Sequence, residues 1–230
     1  MKLSIVIPVY NEQNTIKEVL EKIEAVKLQP DIEKEIIVVD DGSSDMTSEI
    51  LKKFNDDKIY RIHNAVLNFG KGTATRIGIK YAKGDIILIQ DADLEYDPND
   101  YPALIAPIIS NKAEIVYGSR FLGKTENMTK ANLLANKILT FTANLLYRAN
   151  ISDEATCYKV FHKRALDDIE LKCKRFEFCP EVTAKVRKKG YKIAEVPISY
   201  RARNTSEGKK IRWQDGFVAI WTLIKYRFVD

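Results

Sequence analysis

The stretch ILIQDADLEYDP, Ile87 to Pro98, decides how this chain is read. An apolar run from Ile86 to Ile89 ends abruptly in four acidic side chains, Asp91, Asp93, Glu95 and Asp97. A run so short and so apolar reads as a strand buried on both faces, as in a parallel sheet covered by helices. The C-terminal end of such a strand opens onto the crevice where an α/β sheet binds ligands. Carboxylates there can hold a divalent cation, which in turn neutralises a diphosphate. The plainer alternative is a solvated acidic loop after a core strand.

Outward from this stretch, strands and helices alternate. SIVIPVY, EIIVVD, KIYRIH and DIILIQ read as strands. Residues 12–27, 45–54 and 71–83 read as helices, the last stopped by Gly84. That order predicts a doubly wound α/β fold, a mostly parallel sheet flanked by helices with right-handed crossovers. A fifth strand, AEIVYGS, follows a helix begun near Pro98. Further on come a helix over 130–147, a short strand YKVF, a helix over 180–188 and a strand YKIAEVPISY. No Gly-, Ser- or Pro-rich linker and no internal repeat interrupts the chain, so one domain over 1–230 is expected.

The chain's 230 residues, 45% hydrophobic and 30% charged, suit a globular protein. The three cysteines, Cys157, Cys173 and Cys179, have neither CxxC nor zinc-ligand spacing and are expected to be free thiols. Met1 leads straight into LSIVIPVY, so no secretory leader is expected. The apolar run from Phe217 to Ile224 is too short to cross a bilayer, which points to a cytoplasmic protein. The net charge is +5, concentrated in KVRKKGYK (185–192) and RARNTSEGKKIR (201–212). Such runs attract phosphate groups, an acidic membrane surface or nucleic acid. Nucleic acid is set aside, because no reader motif accompanies a modest charge excess. In the tail, Trp213, Phe217, Trp221, Ile224 and Phe228 fall on one helical face. Core packing is the preferred reading of that face. An interfacial helix over 213–228 is the alternative.

Three motifs fall at the C-terminal ends of strands: PVYNE (Pro8 to Glu12), VVDDGSSD (Val38 to Asp45) and DADLE (Asp91 to Glu95). Each alone reads equally well as a turn or a helix cap. No GxGxxG follows the first strand, which argues against a dinucleotide dehydrogenase. NFGKGTA (Asn68 to Ala74) lacks the phosphate-loop pattern and reads as a Gly-rich turn bringing Lys71 towards a donor.

Taken in order, PVYNE, VVDDGSSD, NFGKGTA, DADLE, YGSRF and EVPISYRAR resemble a family 2 glycosyltransferase of the GT-A fold. More narrowly they resemble its dolichyl-phosphate mannose synthase and polyprenyl-phosphate glycosyltransferase branch, over essentially the whole chain. The resemblance implies that Pro8, Tyr10 and Glu12 contact the nucleoside, and Val39 and Asp41 its base or ribose. It places Lys71, Asp91 and Ala92 on the donor, and Asp91 and Asp93 on Mg²⁺ or Mn²⁺. Glu95 stands where the branch usually has Gln and is expected to add a third carboxylate to the metal. Arg120 and Arg203 are implied to face the acceptor phosphate, forming the catalytic set with Asp93. Lys130, Asn132 and Asn136 occupy the positions where the branch often has a basic residue and a serine.

A phosphate monoester is largely dianionic at pH 7, its second pKa being about 6, so as an acceptor it needs no strong base. Direct displacement with inversion is therefore expected, and Glu181 of FEFCPE takes an orienting role. The implied donor is a nucleotide sugar, GDP-mannose ahead of UDP-glucose. The implied acceptor is a polyprenyl or dolichyl phosphate, reached from the cytosolic face of a membrane directly or through a small membrane partner. A polyprenyl-phosphate glucosyltransferase using UDP-glucose and a transferase acting on a saccharide hydroxyl are the enzymatic alternatives. A sugar nucleotidyltransferase would carry a Gly-rich loop where this chain has PVYNEQNT. An inactive GT-A membrane scaffold is the non-enzymatic alternative, and intact Asp91, Asp93, Arg120 and Arg203 weigh against it.

Overall fold

The computed structural model describes residues 1–54, 60–203, 210 and 213–229. Within them the strands are β1 (Lys2–Val9), β2 (Glu33–Asp40), β3 (Tyr60–Asn64), β4 (Ile86–Ile89), β5 (Ile115–Glu126), β6 (Lys159–His162) and β7 (Ile193–Arg201). The helices are α1 (Ile16–Ala25), α2 (Thr47–Leu51), α3 (Lys71–Tyr81), α4 (Tyr101–Ile109), α5 (Lys130–Tyr147), α6 (Lys163–Asp167), α7 (Phe178–Lys188) and α8 (Trp213–Phe228). The start of KIYRIH and most of the basic run 201–212 lie outside the described residues.

The strands form one sheet in the order β3-β2-β1-β4-β6-β5-β7. β1 to β4 are mutually parallel, as is β7 to β5; β6 runs antiparallel to both β4 and β5. All four residues of β4 are buried, as its unbroken apolar run demands. Each Ile or Leu so covered contributes roughly 1.5–3 kcal/mol.

Gly84 does not stop α3 as expected. The helix ends at Tyr81, with Ala82 already extended. Gly84 is needed for close approach instead: a Cβ there would lie 2.6 Å from the Lys2 carbonyl oxygen. Its N–H donates to Ser4 Oγ and to buried Glu35, which also accepts from Lys83 N at 2.6 Å. This network pins β1, β2 and the entry to β4 at the edge opposite the acidic strand ends.

α8 packs on the core as preferred, but not by the face expected. The helix packs on α5 and α7 through Ala219, Thr222, Leu223 and Tyr226. Trp213, Phe217, Trp221 and Phe228 are instead 75%, 67%, 63% and 82% exposed, and Ile224 also faces outward. Small residues on the inner face let α8 sit close to its neighbours, where Tyr147 Oη donates to the Leu223 carbonyl at 2.5 Å. α5 does the same. It buries Leu139, Thr140, Ala143 and Tyr147 and exposes Leu134, Ile138, Phe141 and Leu145, which share a face by their spacing. Among the described residues no helix is long and apolar enough to cross a membrane. The cysteines are free, as expected.

Candidate active site

The parallel strands converge on one polar edge. Asn11, at positive φ, follows β1 and meets the turn after β2: its N–H donates to Ser43 Oγ at 2.9 Å, and its Oδ1 accepts from Ser44 N at 2.8 Å. Asn11 is thus a tie between two motifs rather than a helix cap. Asp41 is buried and accepts from the Phe69 and Gly70 N–H groups at 2.9 and 2.7 Å, fixing the glycine-rich turn. Gly70, with φ 97°, and Gly72 let that turn pass against Lys174 and Arg175, where a Cβ on either would meet backbone within 3 Å. The turn delivers Lys71, the first residue of α3, into an ion pair with Asp91. Burial alone would lower the Lys71 pKa, but the Asp91 carboxylate overrides it and raises it. Burial likewise pushes Asp91 up, and Lys71 more than offsets it.

Asp93 is buried, and Arg203 reaches it from beyond β7, Nη2 to Oδ2 at 2.7 Å. The same guanidinium lies 3.2 Å from Glu12 Oε2 and 3.9 Å from Glu95 Oε1. Lys210 Nζ sits 2.8 Å from Glu12 Oε1 and also donates to the Tyr10 and Asn11 carbonyls. Thr15 Oγ1 links Glu12 to the Ala92 carbonyl at 2.9 Å. Beside this cluster lies a cleft of about 460 Å³, lined among others by Asn11, Glu12, Asp45, Leu94, Arg203 and Lys210.

Burial, then Asp91 and Glu95, push the Asp93 carboxyl up to about 7; Arg203 only partly offsets them. Ionising Asp93 therefore opposes folding. Its contribution is most favourable below the ordinary carboxylate value of 3.8 and is lost as pH rises to about 7. Asp93→Asn is expected to melt above wild type at pH 8, the gap closing as pH falls through 7 towards 4; thermal melts across that range check it.

The expected residues fare differently. Asp91, Asp93, Glu12, Tyr10, Lys71, Ala92 and Arg203 gather at this edge. Pro8 and Val39 are buried inside their strands, Val39 close to Gly78 of α3. Glu95, expected as a third metal ligand, has both oxygens engaged within the protein. Its Oε1 accepts from Arg203 N at 2.7 Å and its Oε2 from Tyr200 Oη at 2.9 Å, zipping the DADLE loop to the end of β7. Among the described residues no three His, Cys, Asp or Glu side chains converge to hold a metal. The Asp91 and Asp93 oxygens are hard donors of the type Mg²⁺ and Mn²⁺ take, and Arg203 only partly offsets the burial and neighbouring carboxylates at Asp93, so this pair fits such an ion.

Arg120 is not presented to the cleft. It is buried and bidentate on Asp153, Nε to Oδ2 and Nη2 to Oδ1 both at 2.7 Å. Glu181 is buried, accepting from Lys172 N and Cys173 N at 2.7 and 2.6 Å and pairing with Lys185, in keeping with an orienting role. Asn132 and Asn136 are half-buried on α5. Lys210, Tyr200, Asp153 and Gln90 were missed. Gln90 is fully buried and accepts from Tyr101 Oη and Tyr158 Oη, both at 2.7 Å, anchoring the strand end that carries Asp91.

Sheet order, flanking helices and acidic strand ends define a GT-A type fold. The chain belongs to glycosyl transferase family 2, whose model matches residues 4–170. It is 31% identical to the dolichol-phosphate mannosyltransferase of Pyrococcus furiosus, over 91% of this chain and 59% of that protein. It is 32% identical to the UDP-N-acetylglucosamine–dolichyl-phosphate N-acetylglucosaminyltransferase of Methanococcus voltae, over 96% and 94% respectively. In fold it matches glucosyl-3-phosphoglycerate synthase from Mycobacterium tuberculosis, solved with Mn²⁺ and UDP-glucose. That match has a TM-score of 0.77 at 19% identity, covering 100% of this chain and 80% of that one.

Proposed function

We propose that this glycosyltransferase moves a sugar from a nucleotide donor to a dolichyl or polyprenyl phosphate, with inversion, the whole chain acting as one catalytic domain. The observation that carries the reading is Asp91, Asp93 and Arg203 meeting at the C-terminal sheet edge, in a chain whose relatives bear polyprenyl-phosphate transferase names. Asp91 and Asp93 would hold Mg²⁺ or Mn²⁺, which when bound supplies Lewis-acid charge to the leaving diphosphate. Glu12 and Asp41 brace the turns on which a nucleoside would lie. Lys71 stands beside Asp91 to meet phosphate oxygens, and Arg203 orients the acceptor phosphate by charge-assisted contacts. Glu181, spent on backbone N–H groups, supports an acceptor that needs no general base.

The sugar is the open choice: GDP-mannose leads, and UDP-linked hexoses follow, since the named relatives use different sugars. Incubation with Mn²⁺, a short polyprenyl phosphate and labelled nucleotide sugars tests the reading. Label in the lipid supports it; label only in saccharide hydroxyls overturns it.

The acceptor headgroup lies at a bilayer surface, and α5 and α8 offer a route to it. Both begin a short way past the strand ends that carry the site, where Ala202 N donates to the Glu126 carbonyl at 3.0 Å. Their outward apolar stripes are accompanied by exposed Lys130, Lys137, Lys225 and Arg227, which complements an anionic lipid surface. Phe141→Ser, Phe217→Ser and Trp221→Ser together are expected to leave the melting temperature near wild type, because exposed positions each shift stability by no more than about 0.5 kcal/mol. Sedimentation with anionic vesicles should fall sharply. A folded triple variant that sediments like wild type would leave membrane contact to a partner protein.

A further inference from the structure

The cluster at the sheet edge is already occupied by the protein's own cations. Arg203 holds Asp93, Glu12 and Glu95; Lys210 holds Glu12; Lys71 holds Asp91. The Arg203, Glu12, Asp93 and Glu95 side chains are only 10–13% exposed, so these charges answer to one another rather than to water. Both Asp93 oxygens are engaged, Oδ1 by Glu95 N at 3.1 Å and Oδ2 by Arg203 Nη2 at 2.7 Å.

Resting on the metal-assisted reading above, we propose that Arg203 is an exchangeable counter-ion: a divalent cation takes Asp93 by displacing its guanidinium, which is then released towards the acceptor phosphate. The reason is charge spacing. With all four ionised, four carboxylates face three cations among the described residues, one net negative charge before any ligand arrives. A dication on Asp93 with the guanidinium still in place would set like charges in contact where little water screens them. Moving the guanidinium aside removes that repulsion. The backbone need not move, because Arg203 N stays on Glu95 and only the side chain swings. Metal loading and acceptor capture thus become one coupled event, donor metal first.

Mn²⁺ titration by calorimetry, without nucleotide, tests the exchange. Arg203→Met is expected to bind Mn²⁺ about tenfold more tightly than wild type, since the guanidinium no longer competes for Asp93. Arg203→Lys, which keeps a cation there, should stay near wild type. In ¹⁵N-arginine-labelled wild type, the Arg203 Nη protons should rotate slowly without metal and average on saturating Mg²⁺; this needs no variant to fold. Unchanged or weaker Mn²⁺ affinity in Arg203→Met, or slow rotation persisting with Mg²⁺ bound, overturns the exchange but leaves the metal reading standing. No Mn²⁺ binding by wild type, with transfer undiminished in excess EDTA, overturns both.

Discussion

Replacing Asp93 with alanine is expected to abolish sugar transfer, with a loss of at least about 10²–10³-fold in kcat. Two effects combine. On the proposed reading, a divalent ion held by Asp91 and Asp93 would lose a buried oxygen ligand, and the leaving diphosphate its counter-charge. Arg203 loses its shortest contact and keeps Glu12 and Glu95 as partners, with no bound cation to displace it from them. Labelled-sugar transfer and nucleotide-diphosphate titration should both weaken in the variant. A thermal melt of the variant run beside the assay separates lost transfer from unfolding. Full activity of this variant, or of wild type in excess EDTA, would remove the metal from the reaction.

Arg120→Ala is expected to cost about 3–5 kcal/mol of stability, the penalty for stranding a buried charge. Asp153 has no side-chain exposure, and both of its oxygens are held by Arg120. Urea denaturation measures the loss. The double variant Arg120→Ala with Asp153→Ala should recover part of it, since neither charge is then left alone. The family resemblance gives Arg120 an acceptor-phosphate role, and that role makes a different forecast: unchanged stability and a raised acceptor KM. A variant as stable as wild type that binds acceptor poorly would reverse the structural assignment.

How much of this was legible beforehand follows from which interactions are local. The apolar runs of β1, β2 and β4 and the span of α5 were readable because composition and period act over neighbouring residues. The acidic ends of the strands were readable for the same reason. The direction of β6 was not, because a run as short as YKVF carries no polarity. Lys210 on Glu12 joins residues 198 apart, and Tyr200 on Glu95 joins residues 105 apart. No spacing rule reports such pairs, so the contacts that engage both Glu95 oxygens were not foreseen. The face of α8 was misjudged because an aromatic stripe has the same period whether it points in or out. What decided it was the opposite side, where Ala219 and Thr222 are small enough to sit flush against neighbouring helices.

The lone antiparallel strand has a consequence for how the chain is made. While the polypeptide is being synthesised, β1 to β4 can assemble as soon as they emerge, but one edge of β4 stays bare until β6 arrives. That edge is Ile86, Ile87, Leu88 and Ile89, and its partner begins about seventy residues later, at Lys159. At about 5–20 residues per second, the ribosome leaves it open for roughly 4–14 seconds. A nascent half-sheet with an uncapped apolar rim is prone to pair with its neighbours on a polysome. Yield in the cell is therefore expected to respond to chaperone cover during that interval as well as to the stability of the finished fold.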